Sequence, residues 1–275
     1  MKKYILITAL AVLSAIACKP SQPQGLLVMS FNVRNSGAAD GENCWVNRRA
    51  AAAAMLNSLN PDVVGMQEVL PDQQEAIEAD CPQYTAYGIG RDDGVNGERM
   101  TVMYNHDVIE FKDGGTWWLS DTPDVPSLGW DAKCFRTATW VLLKDTRSGK
   151  EFYFVNTHLD HRGADARRNG LAMVVAKIKE MNPDVPMVLM GDFNVEPGDP
   201  ALEALDGLML DARSTAKVTE DTPSFNGFDL ERHKVIDYIY YSGFGSAESF
   251  RVVTEQYENA KFVSDHYPII SELVY

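Results

Sequence analysis

"NPDVVGMQE" (60–68) and "NPDVPMVLMGD" (182–192) are two versions of one phrase. In each, a helix-like run stops at Asn-Pro, an apolar strand-like run follows, and a carboxylate closes it: Glu68 in the first, Asp192 in the second. Proline cannot continue a helix and pushes the residue before it to extended geometry, so both read helix, stop, buried strand, acid. Two ordinary helix-to-strand loops would share this much. Taken together they describe two similar halves, each with its own sheet and an acid at a strand's C-terminal end, where open α/β sheets place their ligands.

Outward from these stretches the same alternation continues. "LLVMSF" (26–31), "MTVMY" (100–104), "TATWVLL" (137–143), "EFYFVNTH" (151–158), "VIDYIYY" (235–241) and "PIISELV" (268–274) have strand character. "NRRAAAAAMLNSL" (47–59) and "ADARRNGLAMVVAKIKEM" (164–181) have helix character, the first rich in strong helix formers. No long linker or low-complexity stretch divides residues 26–275, which are expected to form one domain.

At the ends of these apolar runs stand Asn32, Glu68, His158, Asp192 with Asn194, Asp237, and Asp265 with His266. Any one alone would serve as a cap or turn residue. A set of them at one sheet end needs mutual partners or a hard cation, because buried polar groups must be paired. Oxygen donors dominate, which favours Mg2+ or Mn2+ over zinc. The chain has no Cys-x-x-Cys, no Gly-x-Ser-x-Gly and no P-loop, and "GIGRDDG" (88–94) lacks the dinucleotide spacing.

The first residues read as a targeting segment. Lys2 and Lys3 precede an apolar run from Tyr4 to Ala17, too short for the ~20 residues of a spanning helix. "AIAC" (15–18) resembles a bacterial lipoprotein signal, with Cys18 lipidated after removal of residues 1–17 and residues 18–25 as a tether. The expected product is exported and membrane-anchored through Cys18, and is a monomer. Loss of the two lysines takes the formal charge from −14 to −16, which repels polyanions at long range. A processive nucleic-acid binder would instead want a basic face. Of the remaining Cys44, Cys81 and Cys134, an exported setting permits one disulfide; Cys44 with Cys81 is one candidate.

"FNVR" (31–34), "MQE" (66–68), "NTHLDH" (156–161), "GDFN" (191–194), "IDY" (236–238) and "SDH" (264–266) occur in the order found in the endonuclease/exonuclease/phosphatase superfamily. The resemblance spans residues 26–275. It extends to "GERMTVMY" (97–104), similar to the segment that carries an acidic histidine partner, and to "CFRTATWVLL" (134–143), similar to one that carries a phosphate-contacting arginine. It implies an α/β fold: a two-sheet β-sandwich flanked by helices in four layers, α/β/β/α.

It also implies roles. Glu68 is the main metal ligand, with Asn32 beside it and Asp265 nearby. Asp192 accepts a proton from the attacking water and Asn194 holds that water or the phosphate. His266 contacts the phosphate with Asp237 behind it, and His158 does so from the other side, paired with Glu98. Arg136 is a phosphate contact. Apart from the resemblance, Arg91 in "GRDDG" (90–94) either meets a phosphate as part of a substrate loop or pairs with Asp92 or Asp93. The implied reaction is in-line attack of water on a phosphodiester or phosphomonoester, assisted by Mg2+ (or Mn2+). The expected substrate is small or lipid-linked, with extracellular DNA or RNA as the alternative.

"NTHLDH" has the look of a metal cluster, and it half-matches the His-x-His-x-Asp-His run of metallo-β-lactamase-like hydrolases. Position 156 is Asn rather than the first histidine. Strand alternation sends His158 and Asp160 to one face and Leu159 and His161 to the other, so the three polar groups cannot share one ion. His158 is then a phosphate-facing residue, with Asp160 and His161 on the rim. Trp117, Trp118 and Trp130 offer a wall for a base, sugar or lipid, or else a packed surface loop. A non-catalytic ligand-binding lipoprotein on an inactive version of the fold would be expected to have lost some of these positions, and all are filled.

Overall fold

The computed structural model describes residues 25–231 and 233–275; the expected signal segment, Cys18 and all but the last residue of the tether lie outside the described residues. The chain runs β1 (Leu26–Asn32), α1 (Trp45–Leu59), β2 (Val63–Val69), α2 (Pro71–Asp80), β3 (Tyr84–Tyr87), β4 (Arg99–Asn105), β5 (Ile109–Trp118), β6 (Thr137–Asp145), β7 (Glu151–His158) and α3 (Ala164–Glu180). It continues with β8 (Met187–Asp192), β9 (Leu210–Asp211), the single turn α4 (Ala212–Thr215), β10 (Asp237–Ser242), β11 (Ser246–Val252) and β12 (Ile269–Val274). No helix among the described residues is long and apolar enough to cross a membrane.

The strands form two six-stranded sheets, ordered β11-β12-β1-β2-β4-β3 and β5-β6-β7-β8-β10-β9. Each has one parallel pair at its centre, β1 with β2 and β7 with β8; the other neighbours are antiparallel. Each parallel pair is joined by a helix, α1 or α3. The two halves expected from the Asn-Pro repeat are therefore the two sheets, matched strand for strand.

Alternation along each strand makes four layers. Val28, Val63, Val102, Val141, Phe154, Val188 and Ile239 meet between the sheets. Their neighbours Met29, Phe31, Val64 and Met66 turn outward onto Met55, Leu56 and Ile77 of α1 and α2. Val155 and Leu189 of the second sheet turn outward onto Leu171, Val174 and Ile178 of α3. α1 ends at Asn60 in the left-handed conformation, its N–H bonded to Leu56 O, just before Pro61. This is the expected two-sheet sandwich flanked by helices.

Two polar side chains cross the dry middle. Gln67 Nε2 donates to Asn156 Oδ1 at 2.7 Å, and Asn156 Nδ2 donates to Met66 O (2.8 Å) and Thr101 O (3.0 Å). Both amides are fully buried. Gly65 leaves them room, since a Cβ there would lie 3.0 Å from the Asn156 side chain. Asn156 of "NTHLDH" is thus a clasp between the sheets.

β3, β5, β9, β11 and α2 go beyond the elements expected from the sequence. β5 interrupts its alternation with Asp113-Gly114-Gly115 and is bulged between Phe111 and Asp113. The glycines admit flat rings: a Cβ at Gly115 would stand 2.7 Å from Trp140 Nε1. Cys44, Cys81 and Cys134 are free thiols, so the Cys44–Cys81 bridge is not formed; Cys81 is buried, its thiol against Ala53 O.

Candidate active site

The inward stripe of each central strand turns polar at one end of the sandwich. Val28-Ser30-Asn32 on β1, Phe154-Asn156-His158 on β7 and Val188-Met190-Asp192 on β8 each step from core to chemistry at intervals of two residues. β4, β6, β10 and β12 run antiparallel to these strands. Glu98, Arg136, Asp237 and Asp265-His266, at or before their first residues, therefore reach the same end. Glu68, Glu98, Arg91, Arg136, His158, Asp192, Asn194, Asp265 and His266 line one cleft of about 800 Å3.

On the first sheet, Glu68 sits in a bulge between Met66 and Val69 with φ +61°, a backbone conformation that costs a non-glycine residue about 1 kcal/mol or more. The bulge aims its carboxylate at the loop after β1. Oε1 accepts from Asn32 Nδ2 (3.2 Å), and Oε2 from the Asn35 N–H (3.2 Å) and Asn35 Nδ2 (3.0 Å). Burial pushes this acid up, but the Asn32 hydrogen bond, the His266 charge, the Asn35 N–H and the Arg34 charge outweigh it, and the net shift is downward. That loop is fixed from behind. Buried Arg48 of α1 donates to Asn43 O, Val33 O, Arg34 O and Val263 O, and Gln73 of α2 donates to Arg34 O. Arg34 closes the "FNVR" motif but was given no role there, and Asn35, Arg48 and Gln73 had no mark in the sequence beyond the closeness of Asn35 to Asn32.

On the second sheet, Asp192 is held by the Asn194 N–H at 2.9 Å and by Asn32 Nδ2 at 3.1 Å. Burial raises it to about 7 against the pull of His266, with the Asp237 and Glu68 charges adding to the rise. The two histidines beside it differ. His266 Nδ1 lies 2.9 Å from Asp237 Oδ2 and its Nε2 lies 3.6 Å from Asp192 Oδ2. Burial disfavours its charge, but the two carboxylates more than offset this and lift its pKa to about 10. His158 is pushed well below the ordinary histidine value by burial and by the Arg136 and Arg91 charges. Its Nε2 lies 3.0 Å from Asn194 Nδ2 and 3.3 Å from Asp192 Oδ2, so the ring meets a donor and an acceptor at the same nitrogen.

Two expectations change. Glu98 does not pair with His158. Its carboxylate closes on the Arg91 guanidinium and reaches Asn35 Nδ2 at 3.5 Å, leaving His158 Nδ1 buried without a partner. Burial raises the Glu98 pKa, and a fixed cation offsets that cost better than a neutral imidazole. Asp160 is not a rim residue, because β7 stops at His158 and the alternation stops with it. Asp160 accepts from the N–H groups of Lys133 (3.1 Å), Arg162 (2.9 Å) and Gly163 (2.7 Å) at the start of α3. Burial opposes its ionisation, yet those donors and Arg136 bring it down to about 2. His161 does face the cleft, its Nδ1 3.1 Å from Arg136 Nη2.

Of the two alternatives for the tryptophans, the packed one fits: none is among the residues lining the cleft. Trp118 is buried and donates to Arg91 O at 2.7 Å, and Trp117 stacks on Trp140.

Two groupings of acids with histidine or cysteine resemble metal cages. In Cys134–Asp160–His161, the Arg136 cation already lies against His161 and 3.8 Å from Asp160, whose oxygens take three backbone donors. In Asp192–Asp237–His266, both ring nitrogens face carboxylates, which suits an imidazolium better than a ligand. The Glu68 side fits a hard cation. Its donors are oxygens, no lysine or arginine among the described residues forms an ion pair with Glu68, and its carboxylate takes three of about four possible hydrogen bonds. Asp265 faces the same cleft, 3.7 Å from Arg34.

The model of the Endonuclease/Exonuclease/phosphatase family matches residues 29–266. The chain belongs to that family. It is similar to a mannosyl-6-phosphatase of Bacteroides thetaiotaomicron: 33% identity, TM-score 0.87, over 91% of this chain and 100% of that one. An endonuclease/exonuclease/phosphatase from Bacteroides vulgatus is 36% identical with a TM-score of 0.85, over 90% and 98% of the two chains. A 5′-tyrosyl-DNA phosphodiesterase of Caenorhabditis briggsae is 25% identical over 267 residues, 89% of this chain and 68% of that one.

An endonuclease/exonuclease/phosphatase member is a phosphoester hydrolase, and this cleft has the parts for that chemistry. It brings together a carboxylate poised near neutrality, a charged imidazole, a neutral one, and acidic groups able to hold a divalent metal.

Proposed function

We propose that the protein is a magnesium-dependent phosphatase that removes phosphate from a small hydroxylated compound such as a sugar phosphate. The observation that carries this reading is the charge pattern of the cleft. Each of its four arginine and lysine side chains lies within 4 Å of a carboxylate: Arg34 with Asp40, Arg91 with Glu98, Arg136 with Asp160 and Lys234 with Glu196. A nucleic acid needs a run of uncompensated cations along its backbone, and a single phosphate does not. The likeness to a mannosyl-6-phosphatase over its full length supports the same choice.

In this reading Glu68, Asn32 and Asp265 hold the metal, which neutralises phosphate oxygens when bound. Asp192 receives the proton of the attacking water while Asn194 orients it. The His266 imidazolium, backed by Asp237, binds a phosphate oxygen, and Arg136 and Arg91 present guanidinium groups along one wall. His158 Nδ1 is buried without a partner and would meet Glu98 after a rotation of that carboxylate. The leading segment of the chain would place this activity outside the cytoplasm on a lipid tether at Cys18.

The test is a substrate panel with Mg2+, with and without chelator, covering plasmid DNA, RNA, sphingomyelin, inositol phosphates, nucleotides and sugar phosphates. Chelator-sensitive phosphate release from sugar phosphates is expected. Faster cleavage of DNA or RNA would replace the phosphatase with a nuclease.

A further inference from the structure

We infer that Phe225, Glu196 and Lys234 form a subsite for the uncharged, hydroxyl-bearing ring of the substrate. The inference rests on the phosphatase reading above and concerns what the phosphate is attached to. The Phe225 ring stands edge-on to the His266 ring, centroids 5.0 Å apart and planes at 72°. It lines the cleft and is only partly buried. Because Phe225 and His266 line the same cleft in ring contact, a group esterified to a phosphate held at His266 would have Phe225 beside it. Aromatic faces suit the C–H face of a sugar ring, and binding sites commonly combine such a surface with a few placed polar groups.

Those polar groups are adjacent. Lys234 is the backbone bridge partner of Phe225, with Phe225 N–H donating to Lys234 O at 2.9 Å. Lys234 Nζ approaches Glu196 Oε1 at 3.9 Å, and both side chains are more than half exposed, at 58% and 61%. A carboxylate and an ammonium side by side accept from and donate to hydroxyls, and their charges cancel. The pair therefore suits a neutral polyol and offers nothing to a second phosphate.

This wall is built onto the catalytic residues. Phe225 also bridges His266, Tyr267 N–H donates to Ser224 O at 2.6 Å, and Ser224 Oγ accepts from Asp237 N–H at 3.2 Å. Glu196 follows Asn194 by two residues. The subsite is held in register with His266, Asp237 and Asn194, so a ring seated on it would fix the direction from which the ester bond meets Asp192.

The experiment compares mannose 6-phosphate with ethyl phosphate, which has neither ring nor hydroxyls, in the full chain with Mg2+. Glu196→Gln should raise KM for mannose 6-phosphate about tenfold with kcat within about twofold, as lost ground-state contacts do. Ethyl phosphate hydrolysis and product inhibition by inorganic phosphate should move by less than about twofold in that variant. Phe225→Leu, which keeps an apolar side chain against His266, should raise KM for mannose 6-phosphate by a larger factor than KM for ethyl phosphate. Parallel loss on both esters would make the wall merely structural, and no loss on either would remove it from the binding path; either outcome overturns the inference. A wild-type protein that hydrolyses neither ester overturns the phosphatase reading itself, and the subsite with it.

Discussion

The two sheets follow the same path and finish differently. In each, a strand, a helix and a parallel strand lead to an acid: Glu68 after β1, α1 and β2, and Asp192 after β7, α3 and β8. The backbone departs from the ordinary at both, by different means. At Glu68 a bulge puts a non-glycine residue at φ +61°. Before Asp192 the ladder runs unbroken through Gly191, at φ +141°, where a Cβ would lie 1.8 Å from Thr157 O. The surroundings then diverge. At Glu68 the Asn32 and Asn35 donors and the His266 and Arg34 charges outweigh burial and hold the acid ionised; at Asp192 burial prevails over the pull of His266, with the Asp237 and Glu68 charges adding to the rise, and brings it to about 7. In the proposed reading one repeated unit would serve as a cation ligand in one copy and as a proton acceptor in the other.

If labour is divided this way, the two acids should fail differently. Asp192→Asn should fold, keep its metal affinity and lose about 1,000-fold or more in kcat; His266→Ala should lose a comparable amount. Near wild-type turnover in either would break the assignment. Glu68→Gln should weaken Mg2+ or Mn2+ binding, read by calorimetry, by about 100-fold, with activity partly restored at high metal. A Glu68→Gln protein with unaltered metal affinity would move the ligand site elsewhere.

The crowding at Gly191 gives a stability test. Gly191→Ala should cost about 3 kcal/mol or more in denaturant unfolding, since backbone must move to admit the methyl group. The smallest effect concerns Asp160. Its pKa falls from 3.8 to about 2 on folding, so its contribution is complete above pH 4 and is lost as the pH drops through 2. Asp160→Asn should flatten the stability profile in that window and leave it unchanged in slope near neutrality.

Much of this was legible because alternation and strand-end acids are local signals. The Asn-Pro repeat foretold two halves, and every residue assigned to the cleft from the motifs arrives at the same end of the sandwich. What escaped depends on contacts distant in sequence. Arg48 looked like one more cation on an alanine-rich helix, yet it is buried against four carbonyls drawn from three segments. Glu98 was given to His158, but Arg91, seven residues away on the same loop, takes it. β5 hid because its glycines serve Tyr87 and Trp140 rather than a repeating pattern. Asp160 was misplaced by extending strand alternation two residues too far.

The amide clasp between the sheets bears on how this protein can come apart. Gln67 precedes Glu68 by one residue, and Asn156 precedes His158 by two. A slip of one sheet over the other would strand those buried amides before it moved either half of the site by a bond length. The clasp therefore works as a ruler. Partial melting that separates the sheets should be rare, hydrogen exchange at Met66, Gln67 and Asn156 should follow global unfolding, and the spacing between Glu68 and Asp192 should stay constant until the whole domain is lost.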